Sequence, residues 1–454
     1  MKIRSLSFAA LIAVFCAVVY ASGADPGGIA LAAQSIDLSH AVPLFAIGMT
    51  VPAEGLFKVL SIGKQVAQGT PKVGAGCQKL RRTSAVFTAT RDTTEHAEIV
   101  SHRQSTGVSY GLKKSDGKID GTLSPATYSL LMAALLRADF AAVTPYAAGS
   151  DVTAQAAAPQ FADASGGFLT AALKVGMVGR WTGFSGSPGS GNNARNFLIT
   201  DLTATDMTGV FLDGGVAYAD VAGDSVTFTV VGKVSKAATT AHTDDWFTVE
   251  SWQSDISKSE LFPDTKVSQI ALSIPASGDA TFSATMVGLG TRTLGTAQAH
   301  TSPAAETTTG VVEGVQGRVY VNGAVEQMTS CQITIDSGMT PSGAEIGSQV
   351  SAAMNQARLK VSGSFTGMYR NSTVSTLFDA ETPIGITITS AVDGSATADF
   401  FSLIIGKVKI TGDAPDDGEK VIMRTYPFTA EINGAGGAAL AWDNTIISIQ
   451  DSAA

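Results

Sequence analysis

The chain states one pattern twice. Ala97-Glu98-Ile99 is followed by a polar stretch, then by Gly117-Lys118-Ile119-Asp120-Gly121-Thr122-Leu123 and an apolar helix pattern. Ala344-Glu345-Ile346 is followed by a polar stretch, then by Lys360-Val361-Ser362-Gly363-Ser364-Phe365 and a shorter helix pattern. Upstream, Thr83-Ser84 before the strand-like run 86–90 answers Thr329-Ser330 before 332–335, an offset of about 246 residues. A repeat governs architecture before any local propensity does. Both copies are rich in Thr, Ser, Ala, Val and Gly, with short runs of polar/apolar alternation, which favours strands and turns over helices. Two copies of one β-rich unit describe a building block whose partners are copies of itself.

The 454 residues have room for two to three domains of ordinary size. A net charge of −9 supplies no global basic field to grip nucleic acid. Cys16, Cys77 and Cys331 do not make a disulfide framework and read as buried free thiols. Lys2 and Arg4, an apolar run over 6–20 and the small residues Ala21-Ser22-Gly23-Ala24 read as a secretory signal. The alternative is an overlong reading frame whose start is Met49. No other segment is long and apolar enough to span a bilayer, so no membrane partner is expected.

The expected organisation is a leader or overlong start over 1–48, the first part of unit one over 49–162, and a small inserted β domain over 163–232 with its own Gly/Asn/Thr-rich texture. The second part of unit one follows over 233–290, a Thr/Ala/Ser linker over 291–310, and unit two over 311–454. In unit one, residues 91–107 read as an extended polar loop, and Asp116-Gly117 as the turn of a hairpin joining 108–112 to 118–123. Ser124 reads as a helix N-cap with Pro125 in the first helical position. In unit two, Asn322-Gly323 marks a type I′ hairpin, 337–353 matches the first polar loop, and 421–432 is the final long strand.

With these segments placed, the chain resembles the major tail tube proteins of long, flexible-tailed bacteriophages over residues 49–433. The passages that carry the likeness are Ser124-Pro125-Ala126-Thr127-Tyr128 running into Ala133-Ala134-Leu135-Leu136-Arg137, and Lys174-Val175-Gly176 with Arg180-Trp181-Thr182-Gly183. Asn192-Asn193-Ala194-Arg195-Asn196, Ser259-Glu260-Leu261-Phe262 and Pro275-Ala276-Ser277-Gly278 follow in order. The resemblance implies a mainly β fold: two tandem β-sandwich or barrel units, each with a flanking helix, plus the small inserted β domain. It implies a structural subunit of the virion tail, assembled in the host cytoplasm and stacked as rings around a channel for DNA. Its partners would be itself, other tail proteins and DNA in transient passage. The leader departs from that pattern, and alone it would fit a secreted or cell-surface β-sandwich protein of adhesin or surface-layer type.

With two units per chain, three chains should close a ring of pseudo-six-fold symmetry. The polar loops should reach the adjacent ring through Arg91, Asp92, Glu95, Glu98, Arg103 and Glu345. The inserted domain should decorate the outside. A wall that lets DNA slide should be neutral or acidic, which nominates Asp120, Glu250, Asp399 and Glu431 for the channel face.

No nucleophile, base and orienter come together in a catalytic motif, so no enzyme activity, cofactor or metal is expected. His96 and His102 read as solvated loop residues. The stretch 186–191 lacks the Lys and Ser/Thr of a phosphate loop. Asp413, Asp416 and Asp417 form no loop that closes on a glutamate, and read as a surface turn. Lys79, Arg81 and Arg82 make a compact basic cluster, suited to an acidic neighbouring subunit.

Overall fold

In unit one a short 3-10 turn, Gly55–Phe57, leads into the strand Lys58–Lys64, then Gln78–Lys79, Ser84–Glu95, Val108–Thr122 and a helix, α1, Ser129–Leu136. The unit resumes with Phe247–Gln253, Lys258–Pro275 and Thr281–Gly288. Unit two repeats the series: Gly314–Gln316, Gly317–Val321, Ala324–Val325, Met328–Asp336, Lys360–Met368, α2 at Thr373–Asp379, then Ile384–Ala391, Phe400–Ile410 and Met423–Ala430. These elements come from a computed structural model that describes residues 52–454; the leader, Cys16 and the Met49 start lie outside the described residues. Residues 53–454 form one compact unit.

The duplication extends to register. Phe87 stands opposite Gly117 as Ile333 stands opposite Gly363. Each unit also slips by one residue at the same place, between Phe247 and Val249 in one and Ile384 and Ile386 in the other. A bulge kept in both copies marks them as one design used twice.

The units share one sheet. The second half of Lys258–Pro275 pairs with Met328–Asp336 from Gln269↔Asp336 to Pro275↔Ser330. One continuous surface therefore runs from Ser84–Glu95 through the junction to Met423–Ala430. Alternation gives it two faces. Ile119, Phe282, Ile270, Leu272, Ile333 and Phe428 are buried in one core cluster, while Lys118, Gln332 and Ser362 on the opposite face are exposed. Each such aliphatic or aromatic residue contributes roughly 1.5–3 kcal/mol by leaving water.

Helix α1 is buried throughout Leu131–Leu136, as expected of a helix apolar on every side, and Arg137 ends it in the left-handed region. Tyr128 stacks on Phe282 at 3.9 Å, and its hydroxyl donates to the Arg81 carbonyl at 2.8 Å. Burial pushes that phenol up to about 12. The inserted domain is a separate 7-stranded sheet with its own aromatic core, in which Phe161 lies 4.9 Å from Trp181 and 5.0 Å from Phe197. Cys77 and Cys331 are free, buried thiols, and burial pushes Cys331 up to about 12.

Several local expectations differ from the structure. Asp116-Gly117 turns nothing: Val108–Thr122 is a single strand of 15 residues. Glycine stands there because a Cβ would lie 2.1 Å from the Phe87 ring, which covers it from the neighbouring strand. Residues 91–95 belong to a strand, since Ser84–Glu95 pairs to its end with Val108–Thr122, and only 96–107 form the tip. Helix α1 begins at Ser129 and not beside Ser124, because Ala126 takes a positive φ of 64° and turns the chain first.

The second sheet starts at Tyr146, ahead of residue 163; Tyr146–Gly149, Val152–Ala154 and Phe161–Asp163 are too short to display alternation. The stretch 291–310 is no free linker, since it holds the strand Thr293–Gly295 and the fully buried His300. A buried C-terminal strand, Ser448–Asp451, completes the fold by pairing with Phe400–Ile410 and Lys233–Lys236.

Candidate functional site

Among the described residues the continuous sheet leaves two edges unpaired. At one end Ser84–Glu95 pairs only with Val108–Thr122. At the other, Val408–Ile410 and Ala414–Pro415 pair with Met423–Ala430, and the opposite side of residues 409–418 pairs with no strand. Such edges present rows of free N–H and C=O groups and are usually guarded. Here the Lys58 ammonium donates to the Ala85 carbonyl at 2.9 Å, covering one acceptor of the first edge. The Arg82 guanidinium donates to the Lys58 carbonyl beside it. Arg81 is turned inward and bonds the Thr309 carbonyl at 2.7 Å, so it leaves the basic cluster. On the second edge Asp413 is paired with Arg424, while Asp416, Asp417 and Glu419 are exposed.

The second polar loop lies against the strands that carry the first. Arg91 donates to Gln349 Oε1 at 2.8 Å, and the Lys113 amide donates to the Gln349 carbonyl at 2.8 Å. Asp92 pairs with Lys114 at 2.7 Å, and Glu95 sits opposite Val108 in the hairpin. Glu98, Arg103 and Glu345 are exposed, with no side-chain hydrogen bond among the described residues. Each loop also carries one residue that charge alone does not single out: Ile99 is 103% exposed and Ile346 is 109% exposed. They are the last residues of the two Ala-Glu-Ile copies. An apolar residue kept at the centre of two polar loops was the signal that could have found them.

The four acidic residues nominated for a channel do not share a surface. Asp120 lies on the polar face of the sheet, 3.0 Å from Lys118. Burial works against its ionisation, but hydrogen bonds from Lys118, Ser283 and Ser84 hold its carboxyl below the usual range. Glu431 pairs with Lys407 at 3.0 Å and Lys409 at 3.4 Å, and these ammonium groups hold its pKa down. Asp399 is half-buried and accepts from Ser452 Oγ at 3.1 Å. Glu250 is fully buried and can face no channel. Its strand, Phe247–Gln253, is buried on both faces over its first five residues, so alternation there carries no inside or outside.

Glu250 instead holds the segment that leads to unit two. It accepts from Ser259 Oγ at 2.6 Å, the Ala299 amide at 2.6 Å and the His300 amide at 2.7 Å. His300 Nε2 faces the Lys72 carbonyl at 3.1 Å, which can only accept, so the ring proton sits on Nε2. Nδ1 then accepts from Ser61 Oγ at 2.8 Å. Serine, histidine and glutamate meet here without a catalytic relay: serine and carboxylate both lie on the Nδ1 side, and all three are shut from solvent.

Burial lowers the His300 pKa despite the nearby carboxylate. Between that depressed value and the unfolded value of about 6.5, the unfolded chain binds the extra proton. Stability from this site is therefore present above about pH 6.5 and lost as pH falls below it. Thermal unfolding from pH 7.5 to 5 should fall less steeply for His300→Gln than for the natural chain. Equal slopes would place the acid sensitivity elsewhere.

A family model described as "Phage tail tube protein" matches residues 58–430. The match opens on the first residue of Lys58–Lys64 and closes on the last of Met423–Ala430, so it takes in both copies of the unit. No curated protein matches the chain. A mainly β structure of duplicated units agrees with that family match, and the chain belongs to the phage tail tube protein family, as a structural component of the virion tail.

Proposed function

We propose that this chain closes head-to-tail with two copies of itself into a ring of six β-units, and that such rings stack into the tube through which DNA passes. The observation that carries the reading is the sheet junction inside the chain, where Lys258–Pro275 of one unit pairs with Met328–Asp336 of the other. One such contact is already made, and the outer ends of the same sheet remain open. A head-to-tail contact that repeats with rotation generates a ring when the rotation closes.

The polar face of the shared sheet suits the channel. On it Lys118 pairs with Asp120, and Lys407 and Lys409 both pair with Glu431, so the expected acidic excess is replaced by paired charge. A wall without runs of unpaired Lys and Arg gives a duplex few phosphate contacts to stop at. The two polar loops, with Ile99 and Ile346, supply the contact to the next ring. The inserted domain decorates the outside of the tube in this reading, held to the rest of the fold through Gln450, which bonds the Val178 amide and carbonyl at 2.8 Å. Electron microscopy of assembled tubes should count three chains per ring. Six chains per ring would reject the reading.

A further inference from the structure

Each partner of the junction inside the chain has a counterpart on a free edge. Ala414 and Pro415 stand against Thr425 and Arg424 as Ala271 and Leu272 stand against Ser283 and Phe282. Residues 414–418 thus hold the place of 271–275. Ser84–Glu95 holds the place of Met328–Asp336, as the shared Phe87↔Gly117 and Ile333↔Gly363 pairings fix. We propose that these free edges join between copies of the chain in the register that joins the units within it, and that Asp417 of one copy pairs with Lys58 of the next to select this contact. The proposal rests on the ring reading above and names the surface that closes the ring.

The transferred register is specific. Inside the chain Ala271 faces Thr334, Ile274 faces Cys331 and Pro275 faces Ser330. Between copies, Ala414 would face Thr88, Asp417 would face Ala85 and Gly418 would face Ser84. Lys58 has a counterpart as well. Ile62 faces Val249 as Val321 faces Ile386, and each strand follows a three-residue 3-10 turn, so Lys58 holds the place of Gly317. Gly317 and Ile274 line one cavity of about 290 Å³ at the internal junction. At that same spot the open edges carry a cation and an anion. Asp416 and Glu419 flank the acid, and Arg82 flanks the base.

The difference between the two junctions has a physical reason. Inside the chain the partners are tethered, and an uncharged contact suffices. Separate chains must find each other by diffusion and reject wrong partners, which is what complementary charge supplies. Lys58 also explains how the edge stays open beforehand. In the lone chain its ammonium occupies the Ala85 carbonyl; a carboxylate arriving opposite Ala85 gives it a better partner and frees the acceptor for the ladder.

The test uses the full chain with Ser84→Cys and Gly418→Cys together. Directly opposed residues of an antiparallel pair lie about 4.5–5.5 Å apart at Cα, within disulfide reach. Cys77 and Cys331 are buried and do not compete, and Cys16 is replaced by serine in every variant. Oxidised assemblies should run as covalent trimers on a non-reducing gel, and neither single-cysteine variant should. In parallel, Lys58→Glu and Asp417→Lys should each cut assembly at least tenfold, and the two together should restore it. Assemblies that never cross-link, or single charge variants that assemble normally, overturn the proposal. A natural chain that forms neither rings nor tubes in the same assay overturns the ring reading itself, which is a separate result.

Discussion

Replacing Ile99 and Ile346 together with aspartate will leave a folded subunit that no longer grows tubes. Both side chains stand fully in solvent, so the folded chain loses no packing when they change. Substitutions at such positions usually shift stability by no more than about 0.5 kcal/mol. The assembled tube is another matter. A ring of three chains would bring six isoleucines to each ring-to-ring contact, and burying each is worth roughly 1.5–3 kcal/mol. The loss per contact is then on the order of 10 kcal/mol, enough to abolish growth. Aspartate adds the cost of an unpaired charge at a closing interface. Sedimentation and electron microscopy read tube formation, while circular dichroism and thermal melting read the fold. Tubes of normal length from the double variant would place these loops on an outer surface.

These two residues also mark where the sequence was legible and where it was not. The duplication, the β-rich class and the family were all readable, because a repeat and an ordered series of passages survive without three-dimensional context. The Asn322-Gly323 hairpin was readable because its signal is local: both residues take positive φ, 50° and 79°, as a type I′ turn requires. Asp116-Gly117 carries a similar local signal and does something else, since a glycine that opens a turn and one that lies flat beneath Phe87 look alike in sequence. The stretch around His300 read as a linker because Thr, Ala and Ser hide what matters there, which is backbone amides donating to Glu250. Lys58 carried no signal at all. Its place follows only from laying one unit's register over the other.

Glu250 gives the clearest contrast between the two readings, because they predict opposite results. A channel-facing carboxylate could be removed with almost no effect on the fold. Among the described residues it is the sole hydrogen-bond acceptor for Ser259 Oγ and for the Ala299 and His300 amides, all at 2.7 Å or less. Glu250→Ala would leave three donors unsatisfied away from water, at about 1–3 kcal/mol each. It would also leave a cavity where the side chain was. The expected loss is roughly 3–9 kcal/mol, a large part of the 5–15 kcal/mol typical of a folded protein. That corresponds to a melting temperature lower by on the order of 10 °C. Glu250→Gln should recover only part of it, since its amide nitrogen must face one of the same donors. Ring assembly should fail with Glu250→Ala too, because the segment it holds, through Ala299 and His300, leads directly into the strands of unit two. A variant that melts within about a degree of the natural chain would return Glu250 to the surface and undo this account of how the two units are joined.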